Sequence, residues 1–169
     1  MSKTQLKKEL FRLDRDHLTQ LILDAYSARK EIKAYLDFFV NPDVQALYDK
    51  YALAIHKEMI RGKYGRSTAR MSRIRTYIRE FASFGVDPET VIDLMCYALS
   101  TALLVKKIKF TRSPFEKGMI SIGKDILKLG EKESIFSTAL KKLNEALDGS
   151  EGSKYSVNSL RTELGLTPL

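Results

Sequence analysis

Apolar residues return every three or four positions along most of this chain, and no run alternates strictly between apolar and polar. Val44, Leu47, Tyr48, Tyr51, Ile55 and Met59 make one stripe. Met71, Ile74, Ile78 and Phe81, with Tyr77 and Phe84 alongside, make a second. Phe115, Met119, Ile122, Ile126 and Leu129 make a third, and Phe136, Ala139, Leu140, Leu143 and Leu147 a fourth. That spacing collects side chains on one face of a helix, whereas a half-buried strand would alternate. An all-helical chain without a sheet is the expectation. From Pro88 to about Lys106 apolar residues occupy nearly the whole circumference, which marks a buried central helix. The N-terminal part predicts a short helix near Lys3–Arg12, one starting after Asp14, and one through Glu31–Val40.

Punctuation supports these helices. Asn41-Pro42, Asp87-Pro88 and Ser113-Pro114 each set a capping side chain before a proline suited to the first helical position. Ser113 and Glu116 have the spacing of a capping box. Gly62, Gly85, Gly130 and Gly149 stand where stop signals belong. After Leu147 the pattern gives way to "DGSEGSKYS", which reads as a flexible linker. Beyond it Leu160 and Leu164 space a short amphipathic turn that could dock on the body or on a partner. The expected fold is a single all-α domain over residues 1–148, followed by a linker and tail over 149–169. Its six to eight helices would form a bundle or a short solenoid-like array around helix 88–106.

Composition adds bounds. A chain of 169 residues can bury roughly 70% of its unfolded surface and needs no disulfide or metal for stability. Cys96 stands alone, which fits a reducing compartment. The start, "MSKTQLKKELFRL", has no apolar signal core, and Leu94–Val105 is too short to span a bilayer. A cytoplasmic location without membrane partners is the expectation.

Charge changes the picture more. The formal net charge is +8, from 29 Lys plus Arg and 21 Asp plus Glu. The stretch "RGKYGRSTARMSRIRTYIR", residues 61–79, holds seven basic residues and no acidic one. Without those seven, 22 basic residues face 21 acidic. Concentrated charge makes a local field that recruits anions, and six of the seven are arginine, whose planar fork suits phosphate. Gly62–Arg66 reads as a loop, and Ser67 as the cap of a helix running to about Phe84. On that helix Arg70 and Arg73 fall on one edge of the buried arc, Arg75 and Arg79 on the other. The outward face, Ala69, Ser72, Thr76 and Ser83, is small and suited to a second helix neighbour. The sharper expectation is therefore an anion site at the loop and first turn. Its candidates are Arg61, Lys63, Arg66, Arg70 and Arg73, with Tyr64 as a ring to stack on a base. The competing use of these arginines is to lay their stems over the core with their heads in water.

Signals for other chemistry are thin. His17 and His56 lie on different helices, and no ligand cluster has zinc spacing. Asp93 is expected as a first-turn or capping partner, and Cys96 as an inert buried thiol. Gly62 and Gly65 flank "KY" without a phosphate-loop ending, and Gly118 and Gly123 read as close-packing positions within a helix. No catalytic residue, metal or cofactor is proposed from the sequence.

Three stretches carry a resemblance: "LKKELFRLDRDHLTQLILDAY" followed by "YLDFFVNP", then "RIRTYIREFASFGVDPETVIDLMCYAL". Over about residues 1–145 the chain resembles a family of small bacterial proteins, common among Bacteroidetes and classed as a domain of unknown function. The resemblance implies an all-helical cytoplasmic bacterial protein and carries no catalytic residues with it. The start, "KTQLKKELFRLDRDHLTQLILD", is also similar in leucine spacing to nucleic-acid-binding helical hairpins of the SAP type. Two functions follow as expectations. The first is a non-enzymatic binding module that meets an anionic partner, nucleic acid foremost, through 61–79. The second is a protein–protein adaptor using helix faces and the tail. An enzyme ranks third.

Overall fold

The computed structural model describes residues 2–63 and 65–168, so Tyr64 of the expected site lies outside the described residues. Two compact units divide the chain, Met1–Asp43 and Val44–Leu169. The tail expected as a separate segment, 149–169, thus falls within the second unit.

The first unit has three helices, α1 (Lys3–Leu10), α2 (Arg15–Ala28) and α3 (Lys30–Val40). Ser2 and Gln5 close a capping box on α1, and the Asp14 carboxylate accepts the His17 N–H to start α2. Arg29 separates α2 from α3, which pack together and are tied by a 2.9 Å bond from Tyr26 Oη to Asp37. No residue of these three helices is buried.

The second unit contains α4 (Val44–Met59), α5 (Met71–Ser83), α6 (Pro88–Ile108), α7 (Ser113–Lys132), α8 (Phe136–Asp148) and α9 (Lys154–Glu163). Helix α6 touches α4, α5, α7, α8 and α9, so the unit is a bundle around the helix whose apolar circumference predicted it. Ile92, Leu94, Leu99 and Leu103 on α6 are fully enclosed. The stripes of α4, α5, α7 and α8 face them with Ile55, Ile74, Phe81, Ile126 and Leu143.

Nine helices form among the described residues, one more than the upper expectation, and the ninth is the tail. Ser153 caps it, and Val157, Leu160 and Leu164 are buried. Leu164 packs where Gly123 of α7 has no side chain; a Cβ there would lie 2.6 Å from it. Arg161, only 5% exposed, bonds Asn144 at 2.8 Å, the Thr167 carbonyl at 3.2 Å and Asp148. Polar composition predicted a linker, but the two terminal nitrogens of this buried guanidinium bond neighbouring oxygens and hold the segment down.

Several expected caps differ. Asp87 caps α6 through Thr90 as predicted. Asn41 instead closes α3, and α4 begins at Val44, two residues past Pro42. At α7 Arg112 occupies the cap position without a side-chain bond, and Glu116 pairs with Lys106 at 2.8 Å, so the Ser113–Glu116 box does not form. Gly130 lies inside α7, where bare backbone lets Ala139 of α8 come close. Gly85, just past α5, has φ +76°, a conformation that favours glycine.

Candidate functional site

The basic stretch begins as the connection between α4 and α5. Gly62, at φ +111°, turns the chain so tightly that a Cβ there would strike the Arg66 carbonyl. Residues 65–67 then run beside the α6–α7 connection. The Phe110 N–H donates to the Gly65 carbonyl at 2.7 Å, and the Ser67 N–H to the Phe110 carbonyl at 2.9 Å. This parallel bridge takes the bonds that an early helical turn would have used. Helix α5 accordingly starts at Met71, four residues after the expected cap at Ser67. Backbone amides of this stretch already have partners: Arg66 N–H bonds the Lys63 carbonyl, Thr68 N–H the Arg61 carbonyl, and Ala69 N–H the Ser67 hydroxyl.

Arg70 N–H has a different partner. It donates at 3.0 Å to Glu58, an α4 carboxylate only 5% exposed. The Arg70 side chain reaches the same carboxylate at 3.3 Å, and Arg61 at 3.1 Å. Burial pushes the Glu58 carboxyl up, but the Arg70 amide and the Arg61 and Arg70 guanidiniums outweigh it, so the group lies below its usual 4.5. Two of the candidate arginines thus clamp the ends of the basic loop onto α4. The sequence held a signal for this: Glu58 stands three residues after Ile55 and seven after Tyr51, on the buried stripe.

The remaining charges behave differently. Lys63 and Arg66 are exposed. Arg73 donates to Tyr77 Oη at 2.9 Å with its guanidinium over the ring. Arg79 donates to Thr76 Oγ1 and the Arg75 carbonyl, and Arg75 pairs with Asp125 of α7 at 2.7 Å. The small outward face of α5 is not covered by another helix; Ser72 and Ser83 are exposed. Arg70 and Arg73 of one edge and Arg79 of the other border this face, while Arg75 turns to α7. Arg70, Arg73 and Arg79 line the same shallow depression across Thr76 and Tyr77.

That depression continues into others. A second, holding Arg70, Arg75 and Lys117, shares Arg70 and Ser72 with it. A third, between Arg66 and Arg112, shares Ala69, Pro114 and Phe115 with the second. A fourth, between α5, α6 and α7, shares Arg79 with the first and Arg75 with the second. Nine basic residues and two acidic ones, Glu80 and Asp125, line the four. Among the described residues, Arg66, Arg73, Arg79, Arg112, Lys117 and Lys128 make no ion pair. Arg112 and Lys117 come from α7 and its approach, outside the segment that the sequence singled out. The bridge to Phe110 and the packing of α7 on α5 bring them alongside, which no local pattern announces.

A family model described as a family of unknown function, DUF6155, matches residues 1–156. The chain belongs to DUF6155. No curated protein and no solved structure matches it.

Elsewhere in this DUF6155 chain, polar groups serve packing. Asp93 pairs with Lys142 of α8 at 2.7 Å, a link between helices where a capping role was expected. Burial, followed by the nearby Asp93 charge, pushes the Cys96 thiol up to about 12, which leaves it protonated and unreactive. His17 is exposed beside Asp14, and His56 lies 3.5 Å from Tyr97 Oη. No three His, Cys, Asp or Glu side chains among the described residues come together as metal ligands. No described helix is long and apolar enough to cross a membrane.

Proposed function

We propose that this chain is a non-enzymatic binding module that holds nucleic acid on the basic surface of α5 and α7. The observation carrying this reading is the continuity of that surface: guanidiniums from three segments flank one open face, and five basic residues on it have no carboxylate to neutralise them. Arginine and lysine spread over linked shallow depressions suit a chain of phosphates better than a single ion. The loop acts as a support, since Glu58 holds Arg61 and Arg70, one at each end of it. A cytoplasmic setting, where nucleic acid is the abundant polyanion, goes with this reading.

Binding of a labelled duplex to the wild type and to Arg73→Glu/Arg79→Glu tests it. Both side chains are exposed and neither pairs with a carboxylate among the described residues, so the fold should survive the exchange. Affinity is expected to fall by at least tenfold, and an unchanged affinity would refute the assignment.

The adaptor reading keeps one observation of its own. The first unit exposes large apolar side chains, Phe11 just past α1 at 79% and Phe39 and Val40 on α3 at 73% and 81%. Purification from the native host separates the two. Nucleic acid carried through, and lost on nuclease treatment, supports the first reading; one protein retained after nuclease supports the second.

A further inference from the structure

The fourth depression differs from its neighbours in having an apolar floor. It is a cleft of about 350 Å³ between α5, the first turns of α6, and α7. Ile78, Val91 and Ile122 form its base, and Ala82, Met95 and Leu129 its partly open walls. Four basic residues stand around it: Arg75, Arg79, Lys128 and Lys132. Two have carboxylates already, Arg75 through Asp125 and Lys132 through Glu133. Arg79 and Lys128 have none among the described residues, and they border the cleft from α5 and α7.

A ribose-phosphate chain would use the rim and leave the floor wet. A compact apolar residue or ring would use the floor and leave two cations without a counter-charge. The arrangement satisfies both at once when the occupant has an apolar body and one anionic end. Its volume lies at the lower limit of ordinary small-ligand sites, which are mostly apolar with a few placed polar groups. We infer that this cleft binds a small amphiphilic anion, an aliphatic chain or ring ending in a carboxylate or phosphate, with the head between Arg79 and Lys128. The site does not rest on the nucleic-acid reading, although Arg75 and Arg79 belong to both surfaces.

Calorimetric titration of the full chain with decanoate, decyl phosphate and decanol tests the inference. One saturable site for at least one of the two anions is expected, with decanol weaker by about tenfold, the value of a charge-assisted contact. Whichever anion binds more tightly identifies the head group. Lys128→Gln should remove the preference for the anion over decanol. Ala82→Trp, at an exposed helical position, should fill the cleft and abolish binding of all three while helix content stays unchanged. Absence of saturable binding by either anion, equal binding of decanol, or binding unaffected by Ala82→Trp would overturn the site. Ala82→Trp leaves the charges in place, so duplex binding should persist in it; loss of duplex binding in the wild type alone leaves this cleft standing.

Discussion

Glu58 is the residue on which the basic loop depends, and its position explains why two arginines of the run serve structure. A carboxylate 5% exposed beside two guanidiniums and an amide is stabilised as the ion only while those partners stay in place. Glu58→Gln keeps the shape but removes the charge, and should lower stability by about 2 kcal/mol at neutral pH, given that both arginine heads are half exposed. The folded-state carboxyl lies below its ordinary value, so its contribution is complete above that value and is lost as pH falls through the folded one. Urea unfolding at pH 7 and near pH 3 should therefore show a wide gap between wild type and Glu58→Gln that narrows in acid. A gap that stays constant would mean that Glu58 is not an ionised clamp. The charge run at 61–79 was legible in the sequence, while the division of labour within it was not. Arg70 meets a carboxylate twelve positions earlier in the chain, and a helical wheel of α5 shows nothing of α4.

At the scale of elements, the helices were legible wherever an apolar stripe and a local cap agreed. Asp14 and Asp87 start α2 and α6 where their side chains allow, and the all-round apolar α6 is the helix that the others pack on. Elsewhere tertiary contacts supplied the bonds instead. The bridge from 65–67 to Phe110 delays α5, and Arg161 together with Gly123 seats a polar tail as α9. Gly118 shows the same dependence on a neighbour. A Cβ there would stand 2.3 Å from the Met71 Cβ, an atom fixed to the α5 backbone. Gly118→Ala should therefore destabilise by about 1–2 kcal/mol, overpacking outweighing the gain in helix propensity of roughly 1 kcal/mol. Gly123→Ala meets the outer atoms of Leu164, which can rotate, and should cost less. Thermal unfolding of the two variants compares them directly; equal effects would contradict close packing of α5 on α7.

For the whole molecule, the excess charge belongs to the second unit. Residues 61–79 account for +7 of the net +8, and the bundle sets Arg112 and Lys117 from α7 beside them. The first unit has no buried residue in its helices and exposes Phe11, Phe39 and Val40. The proposed role of the basic surface is to take the phosphates of a nucleic acid. Each phosphate neutralised releases counterions, so the affinity for a duplex should fall with salt. Fluorescence anisotropy of a labelled duplex, titrated with the full chain between about 50 and 300 mM salt, measures this. If Arg66, Arg73, Arg79, Arg112 and Lys117 each meet one phosphate, log K against log salt should be linear with a slope of about −4.5. Absence of binding at the lowest salt, or a slope near zero, would contradict phosphate binding by this surface.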